Sequence, residues 1–286
     1  MSSLEIKDLQ IKHGRKLALE NIDLTFETGH CYALLGQNGA GKSSLIRELF
    51  KKPKKGSIMI DGVRVYNNQE QMSKIYCMSQ VSFFPKELKL TDIMKLLGSA
   101  FPEFDSEFAK DVMQKADVDL KQKFGKLSVG TSTLFRAVMA LATNANFIFL
   151  DEPELGVDIK NRELFLSLFA KRMTNSDSCF VIATHNLQEF ENLPDKIIIL
   201  QDHKVALFGD SEEISKNYVT LSGKKELFKQ IREKTMNKKE LGSFMSVVVK
   251  VEDRDAFLSR IPDGVEVSNC SLQDIFLAIT SKEGVE

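Results

Sequence analysis

The chain has 286 residues, of which 43% are hydrophobic and 28% charged, and its formal net charge is −1. This composition suits one large globular domain, or a medium domain with a small one. Neither residues 211–286 nor the rest of the chain has the basic excess of a nucleic-acid-binding protein, so we expect no nucleic-acid partner. The short basic run KKPKK at 51–55 fits a solvated loop.

The four cysteines are far apart in sequence, and we interpret them as reduced thiols in or near the core of a cytosolic protein. The first ten residues do not resemble a signal peptide, and the longest apolar runs are too short to span a bilayer. If the protein works at a membrane, we expect another chain to cross it.

The first 35 residues alternate apolar and polar side chains, which predicts antiparallel strands with one solvated face. The apolar run CYALLG at 31–36 ends in glycine and predicts a buried strand that leads into a loop. The segment SIMIDGVRV at 57–65 predicts a hairpin that turns at Asp61 and Gly62.

From about Phe83 to Ala145, Met and Leu recur at intervals of three and four residues, which predicts an inserted helical region. Three further buried strands are predicted at 146–154, 178–186 and 195–200, and polar residues follow the first two. Strands that alternate with helices predict a mainly parallel sheet, whose ligands bind beyond the carboxyl ends of the strands.

After about Ser211 the pattern changes to that of a small α/β unit. The predicted elements are a charged helix at 224–243, a strand at 243–251, a short helix at 253–261, an alternating segment at 264–270 and a helix at 271–280. Ser271 is the predicted N-cap of the final helix. We therefore divide the chain into a first domain at 1–210, with its helical part at about 83–145, and an accessory domain at 211–286.

The segment GQNGAGKSS at 36–44, which we call the glycine loop, matches G-x-x-x-x-G-K-[ST] between a predicted strand and a predicted helix. Its glycines let backbone N–H groups face phosphate oxygens. Lys42 adds a positive charge at the β- and γ-phosphates, and the Ser43 hydroxyl can bind Mg²⁺. The predicted nucleotide-binding residues are Gly36, Gln37, Asn38, Gly39, Ala40, Gly41, Lys42, Ser43 and Ser44.

Two acidic residues follow the predicted strand FIFL. Asp151 lies at its carboxyl end, where a carboxylate can reach Mg²⁺ from the side opposite Ser43. Glu152 can orient and deprotonate a water in line with the γ-phosphate. Taken alone, Glu152 is equally well explained as an ordinary carboxylate at a strand end, but the glycine loop favours the catalytic interpretation.

Six motifs in this order resemble the ATP-binding subunit of an ABC transporter, over residues 2–210. They are the glycine loop, Gln80 in CMSQ, LSVGT at 127–131 (the signature segment), FIFLDE, GVD ending at Asp158, and His185 in ATH. The resemblance implies an α/β fold with a P-loop NTPase core and a mainly parallel sheet, an N-terminal antiparallel β-subdomain, an inserted helical subdomain and a small C-terminal α/β extension. It also implies ATP and Mg²⁺ as cofactors.

In this family two subunits pair head to tail, and each ATP lies between one glycine loop and the other subunit's signature segment. The resemblance therefore implies that Ser128 and Gly130 contact the γ-phosphate held by a partner, which is either a second copy or a similar ATPase. Gln80 would bind Mg²⁺ and sense the attacking water. His185 would hold the γ-phosphate, and Asp158 would contact the partner.

The sequence departs from the family pattern in two places. Val129 and Thr131 replace a Gly and the Gln of the usual Leu-Ser-Gly-Gly-Gln signature, and the stiffer Val predicts slower or less favourable dimer closure. His13 stands where the family offers an aromatic ring to adenine, and its smaller ring predicts weaker base binding. Because Glu152 and His185 are retained, we expect a competent hydrolase.

The resemblance implies an ATPase that powers transport through a separate transmembrane permease, as a peripheral protein on the cytoplasmic face of a bacterial cell membrane. The segment at 83–105 and the final helix look most like those of exporters of bacteriocins, bacitracin and cytolytic peptides. We therefore expect export of peptides or other amphipathic toxic compounds. The Met and Leu side chains of the helical region either line a groove for a permease helix or fill the core.

Two other functions are compatible with these motifs. One is a soluble ABC ATPase that acts on ribosomes or DNA, which usually has tandem nucleotide domains, long coiled coils or a basic surface, and this sequence has none of them. The other is a regulatory subunit that binds ATP and dimerises but hydrolyses poorly because of Val129 and Thr131.

Overall fold

The structure is a computed structural model that describes residues 1–185, 190, 193–231 and 233–281. The strands are β1 Ser3–His13, β2 Lys16–Glu27, β3 Cys31–Leu35, β4 Lys55–Ile60, β5 Val63–Arg64, β6 Ile75–Met78, β7 Phe147–Asp151, β8 Cys179–Ala183, β9 Lys196–Gln201, β10 Lys204–Asp210, β11 Tyr218–Lys224, β12 Thr235–Leu241, β13 Phe244–Lys250 and β14 Glu266–Asn269. The α-helices are α1 Lys42–Glu48, α2 Gln69–Met72, α3 Leu90–Ala100, α4 Ser106–Lys115, α5 Val129–Ala142, α6 Ile159–Asn175, α7 Ser211–Lys216, α8 Arg254–Leu258 and α9 Leu272–Thr280. Short 3₁₀ helices occupy Phe124–Lys126 and Lys225–Gln230.

An N-terminal antiparallel sheet has the order β2-β1-β4-β5. Its strands bury alternate side chains, as their sequence pattern predicts. The turn between β4 and β5 places Asp61 at φ 50° and Gly62 at φ 79°, which are the left-handed conformations of a tight hairpin. The predicted antiparallel subdomain and its Asp-Gly hairpin are confirmed.

The central sheet has six strands in the order β10-β9-β3-β8-β7-β6, and all neighbours except β9 and β10 are parallel. Strands β3, β7 and β8 are buried along their whole length, which matches their continuous apolar runs. Two strands were not predicted. β6 is only four residues long, and β10 is an antiparallel edge strand that follows a turn at Asp202 and His203, both with positive φ.

The inserted helical region consists mainly of α3, α4 and α5. It begins at Leu90 rather than at the predicted Phe83. Pro85 disfavours helix at Phe84, and the carbonyls of Lys86 and Leu88 accept from the N–H groups of residues 125 and 124 instead of from a helix. Leu90, Met94 and Leu97 are buried, so these side chains fill the core rather than line a groove. The N-cap of α4 is Asp105, whose carboxylate accepts a hydrogen bond from the Phe108 N–H.

The C-terminal segment forms an antiparallel sheet in the order β12-β13-β11-β14. The prediction of a helix at 224–243 is wrong. A 3₁₀ helix and strand β12 stand there, because pairing of β12 with β13 overrides the helical preference of its charged residues. Strand β13 and helix α8 lie where they were predicted, and Ser271 caps α9 by accepting from the Asp274 N–H. The predictions for Asn186, Arg232 and residues 282–286 lie outside the described residues.

Strand β3 is covered on both faces. Tyr32 and Leu34 pack against α1 and the N-terminal sheet. Ala33 and Leu35 pack against β9 and, from the other end of the chain, against α9. The α9 end also meets the glycine loop, where the Gln37 Nε2 donates a hydrogen bond of 3.0 Å to the Thr280 carbonyl. The division of the chain at residue 210 remains a prediction.

No helix in the described ranges combines the length and apolar character needed to cross a bilayer. Three of the cysteines, Cys31, Cys179 and Cys270, are buried, and Cys77 is partly buried. Burial raises the pKa of the Cys31 thiol well above its ordinary value. These thiols behave as core side chains rather than as reactive groups.

Candidate functional site

The glycine loop connects the end of β3 to the start of α1, and two of its glycines have positive φ angles. Gly39 has φ 86° and Gly41 has φ 109°. A Cβ atom at residue 41 would lie 2.7 Å from the Leu19 side chain, so both the backbone angle and the space require glycine there. Gly41 is also the N-cap of α1 and provides no side-chain cap, which leaves the first N–H groups of this helix for a ligand.

Glycine is required at residue 36 by close packing, and not by the backbone conformation that the motif suggests. Its φ is not positive. A Cβ atom there would lie 2.8 Å from the Ala40 Cβ and 2.9 Å from the Leu200 carbonyl oxygen. The glycine therefore lets the loop pack closely against β9.

Lys42 is buried inside the curve of the glycine loop. Its Nζ donates a hydrogen bond of 2.6 Å to the Gly36 carbonyl, which closes the loop. Burial lowers the pKa of Lys42, whereas the nearby carboxylates of Glu152 and Asp151 raise it. A buried ammonium among backbone N–H groups is the environment of an anion-binding site.

Asp151 lies at the carboxyl end of β7 and is 1% exposed. Burial raises the pKa of its carboxyl group, and the Ser43 hydroxyl and the Lys42 ammonium act in the opposite direction. The buried Asp151 Oδ1 atom has no hydrogen-bond partner among the described residues. An unpartnered carboxylate oxygen beside a serine hydroxyl fits a ligand position for Mg²⁺.

Glu152 has a strained backbone and a buried side chain. Its φ is 52°, a left-handed conformation that is rare for a residue with a Cβ atom. The Glu152 N–H donates to the Ala183 carbonyl at 2.8 Å, which holds the backbone against β8. The Glu152 Oε2 lies 2.7 Å from the His185 Nδ1. The ends of β7 and β8 thus bring together two of the predicted catalytic residues, at a cost in backbone strain.

A cavity of about 470 Å³ joins these groups, and we call it the site cavity. The side chains and loop atoms that line it are Gln37, Asn38, Gly39, Ala40, Gly41, Lys42, Ser43, Ser44, Arg47, Gln80, Glu152, Leu155 and His185. Sequence reasoning missed Arg47 and Leu155. Arg47 is one helical turn after Ser43, and its Nε donates to the Ser43 carbonyl, so the helical period of α1 was the available signal.

Six predicted site residues are absent from the cavity lining, and two of them, Gly36 and Asp151, are next in sequence to the lining residues Gln37 and Glu152. His13 is close to it, since its Nε2 lies 2.8 Å from the Ser44 Oγ, but its stacking on adenine remains a prediction. Ser128 is the N-cap of α5 and accepts from the Thr131 N–H. Asp158 is the N-cap of α6. Gly130 lies in the first turn of α5.

The signature segment packs closely on the GVD segment of the same chain. A Cβ atom at Gly130 would lie 2.1 Å from the Gly156 carbonyl oxygen. The neighbouring Val129 side chain is 71% exposed. Gly130 is therefore fixed by a backbone contact, while Val129 faces outward.

A glycine loop between strand and helix, with acidic residues at the ends of adjacent parallel strands, defines a P-loop nucleotide-binding fold. A family model described as "ABC transporter" matches residues 19–154. A probable ABC transporter ATP-binding protein from Cyanophora paradoxa is 30% identical over 210 residues, covering 69% of this chain and 84% of that protein. The chain belongs to the ABC transporter ATP-binding proteins.

Another relative agrees with this assignment, and a solved structure shares the fold. The ABC transporter ATP-binding protein YtrB of Bacillus subtilis is 26% identical, over 76% of this chain and 75% of that protein. A dimeric structure of the ATP-binding cassette MJ0796 with ADP and phosphate has a TM-score of 0.62 at 22% identity, over 72% of this chain and 98% of that chain. The predicted fold is confirmed, and so is the prediction of an ATPase, since members of this family are ATPases that power transport.

The comparisons do not single out export. The ribose import ATP-binding protein RbsA of Bacillus subtilis is 28% identical over 218 residues, and this chain spans 43% of its length. The resemblance to exporters therefore goes further than the family assignment.

Proposed function

We propose that the chain is the ATP-hydrolysing subunit of an ABC exporter for peptides or other amphipathic compounds, and that it acts through a separate permease at the cytoplasmic face of a bacterial membrane. The observation that carries the ATPase part is the convergence of Lys42, Glu152 and His185 on one cavity with the glycine loop. The segments that follow the parallel strands β3, β7 and β8 supply these groups.

The glycine loop binds the phosphates of ATP. Backbone N–H groups at the uncapped start of α1 donate to phosphate oxygens, and the Lys42 ammonium interacts with the β- and γ-phosphates. The Lys42 Nζ donates to the Gly36 carbonyl at 2.6 Å. The same ammonium has further donors for phosphate oxygens.

Ser43, Gln80 and Asp151 are the residues that would hold Mg²⁺. The unpartnered Oδ1 of Asp151 provides an anionic ligand, and the Ser43 hydroxyl and the Gln80 amide provide neutral oxygens. Among the described residues there is no cluster of three His, Cys, Asp or Glu side chains suited to a metal. When bound, Mg²⁺ neutralises charge on the phosphates.

Glu152 is the general base of hydrolysis. It accepts a proton from a water whose oxygen attacks the γ-phosphorus, while the bond to the bridging oxygen breaks and ADP leaves. The contact between the Glu152 Oε2 and the His185 Nδ1 holds the carboxylate in place. Because the His185 side chain is about half exposed, its other ring nitrogen can reach the γ-phosphate.

The working unit is a head-to-tail dimer of this chain or a pair with a similar ATPase. Ser128, Gly130 and Asp158 do not line the chain's own cavity, so they are available to a nucleotide and a glycine loop on a partner. ATP closes this dimer, and hydrolysis with phosphate release opens it.

A groove between the nucleotide core and the helical region is our candidate for the permease contact. Its volume is about 680 Å³, and residues of α2, β6 and the end of α3 line it, among them Met72, Tyr76 and Phe101. A smaller cavity of about 150 Å³ lies beside it, where Phe83 is exposed. Movement of the helical region against the core would change the shape of this groove and so reach a permease helix.

ATP hydrolysis by the pure protein tests the proposal, with Glu152→Gln as the variant. We expect turnover to fall about 10²- to 10⁴-fold while ATP binding persists, because only the proton acceptor is lost. Glu48→Gln is the control, since Glu48 is a partly buried glutamate of α1 that pairs with Lys51 and does not line the site cavity. Equal turnover in wild type and Glu152→Gln would remove the catalytic role.

Transport direction needs the permease. We expect the pair, expressed in a susceptible bacterium, to raise resistance to membrane-active peptides, and Glu152→Gln to abolish the effect. Accumulation of a cargo inside the cells would instead identify an importer.

A soluble ABC ATPase and a poorly hydrolysing regulatory subunit are the alternatives. The exposed Val129 at the start of α5 favours the regulatory subunit, because a bulky side chain there meets any partner first. Absence of turnover in the wild type, with and without the permease, would support it.

A further inference from the structure

Arg136 is a buried cation in the middle of the otherwise apolar helix α5. It is 8% exposed, and its neighbours in the helix are fully buried hydrophobic residues. Its Nη1 donates to two successive backbone carbonyls just after β6, those of Ser79 at 2.6 Å and of Gln80 at 3.1 Å. The guanidinium thus joins α5 to the residue proposed above as a Mg²⁺ ligand.

The remaining contacts of Arg136 hold the guanidinium to its own helix. Its Nη2 donates to the Thr133 Oγ1 at 3.1 Å, and its Nε donates to the Ser132 carbonyl at 3.2 Å. Within the described part of the chain no carboxylate forms an ion pair with it. Burial lowers the pKa of Arg136, which reflects the cost of holding this charge among carbonyl dipoles alone.

A methionine at residue 136 would fill the same space without a buried charge, but it would leave the Ser79 and Gln80 carbonyls without this donor. The Arg136 Nη1 serves both carbonyls while Nη2 and Nε hold the guanidinium to α5, an arrangement that a single ammonium cannot reproduce. What the arginine adds is a rigid connection between the Gln80 backbone and helix α5. Any displacement of that helix must move these carbonyls or break charge-assisted hydrogen bonds.

The start of α5 is the signature segment, about two helical turns before Arg136. In the proposed dimer this segment contacts the nucleotide of the partner, whereas Gln80 lines the chain's own site cavity. A single helix therefore extends from one nucleotide site to the other, and Arg136 is its attachment to the second.

We propose that Arg136 is a positioning residue that couples the two nucleotide sites of the dimer. When the signature segment engages a γ-phosphate on the partner, α5 shifts and Arg136 carries the Gln80 backbone into its catalytic position. The inference rests on the proposed function, because it needs two nucleotide sites in one dimer. Coupling of this kind is reciprocal in binding free energy.

Arg136→Met tests the proposal, because it keeps the length and apolar body of the side chain but removes all donors. We expect nucleotide affinity of the monomer without Mg²⁺ to stay within about twofold, because the glycine loop is untouched. We expect kcat to fall about 10- to 100-fold, as for the loss of an outer-shell partner of a metal ligand. The Hill coefficient for ATP should lie above 1 and at most at ~2 in the wild type, and it should be ~1 in the variant.

Arg172→Met is the matched control. Arg172 is a partly buried arginine of α6 that pairs with Asp105 at 2.7 Å and lies over the Phe108 ring, without contact to Gln80. We expect this variant to lose thermal stability but to keep the wild-type kcat and Hill coefficient. Arg136→Lys should recover part of the lost kcat, because one ammonium can still reach one carbonyl.

A second readout does not depend on turnover. In a Glu152→Gln background, ATP-induced dimerisation measured by light scattering should need more ATP when Arg136→Met or Arg136→Lys is added, but not when Arg172→Met is added. If Arg136→Met does not fold, Arg136→Lys carries this measurement.

The outcomes separate the two proposals. Cooperative hydrolysis in the wild type with the same kcat and Hill coefficient in a folded Arg136 variant overturns the coupling role and leaves the ATPase intact. A wild-type Hill coefficient of 1 also overturns it. A wild type that neither binds ATP nor dimerises removes the proposed function itself.

Discussion

The glycine loop and the signature segment are both glycine-containing helix starts, yet the two helices are capped differently. Gly41 begins α1 without a side-chain cap, so the first N–H groups of that helix remain available. Ser128 begins α5 and satisfies the Thr131 N–H with its own hydroxyl. Gly41 is packed against Leu19, and Gly130 is packed against the Gly156 carbonyl.

This difference teaches which part of the nucleotide site a single chain can complete. The glycine loop has its cation, its carboxylates and its cavity within the same chain, and is therefore ready to bind phosphate alone. The signature segment lies outside that cavity, and in the proposed dimer it contacts a nucleotide held by the partner. Variants that affect ATP binding by the monomer and ATP-induced dimerisation separately test this difference.

The largest expected effect is the difference in ATP binding between two single variants, Lys42→Ala and Ser128→Ala. Loss of the Lys42 ammonium removes charge-assisted hydrogen bonds worth about 1.5–3 kcal/mol each, so the Kd of the monomer for ATP should rise by about 10- to 150-fold or more. Ser128→Ala should leave that Kd unchanged but prevent ATP-induced dimerisation. Calorimetric titration and light scattering measure the two properties.

If Ser128→Ala weakened ATP binding by the monomer as much as Lys42→Ala, the two helix starts would serve the same nucleotide. The assignment of phosphate binding to the glycine loop and of dimer closure to the signature segment would then be wrong.

Gly130→Ala should have the next largest effect, a loss of stability. The added methyl group would meet the Gly156 carbonyl oxygen, which belongs to rigid backbone, and we expect a loss of about 1–3 kcal/mol in the free energy of unfolding. Gly39→Ala is the matched control, because its Cβ would meet nothing within 4 Å and only its φ is unfavourable. Its cost should be about 1–2 kcal/mol, with weaker phosphate binding. Urea unfolding compares the two.

Asp151→Asn should stabilise the nucleotide-free protein. Burial raises the folded pKa of Asp151 above its ordinary value of 3.8, so ionisation of this group costs stability as the pH rises, and the full cost is present at neutral pH. The variant should therefore have the higher Tm at neutral pH, and the difference should vanish below pH 3.8, where the carboxyl is protonated in both states.

Mg²⁺ with a non-hydrolysable ATP analogue should reverse the order, because the wild type gains a ligand-binding carboxylate that the variant lacks. A variant that is less stable than the wild type at neutral pH without ligand would contradict the raised pKa.

The smallest effect is that of restoring the usual signature. Val129 is exposed, so Val129→Gly with Thr131→Gln should change the free energy of unfolding by only about 1 kcal/mol, the helical cost of glycine. Turnover should rise severalfold if the stiff valine slows closure. Unchanged turnover would show that Val129 does not limit the cycle.

The local parts of the site are those that the sequence predicts. The glycine loop, Asp151 and Glu152 form from short segments whose residue order follows directly from their chemistry. The contact of Glu152 with His185 depends on the pairing of β7 with β8, and no spacing in the sequence encodes it. The reason for glycine at Gly36 is likewise its packing against Leu200.

Non-local pairing also explains the errors in the fold. β12 contains three charged residues, Lys238, Lys239 and Glu240, and a pattern read along the chain favours a helix. Its partner β13 supplies the hydrogen bonds that make it a strand. Arg136 was missed although it is the one charged residue in the α5 sequence VGTSTLFRAVMALA, which was the available signal.

The packing of α9 on β3 can form only late in the synthesis of the chain. Gln37 and Thr280 are 243 residues apart in the chain, and at typical translation rates of ~5–20 residues per second the ribosome needs about 10–50 s to progress from one to the other. During that interval one apolar face of the strand beneath the glycine loop lacks its covering helix. The nascent chain is therefore exposed to aggregation and to chaperones until the α9 segment has left the exit tunnel.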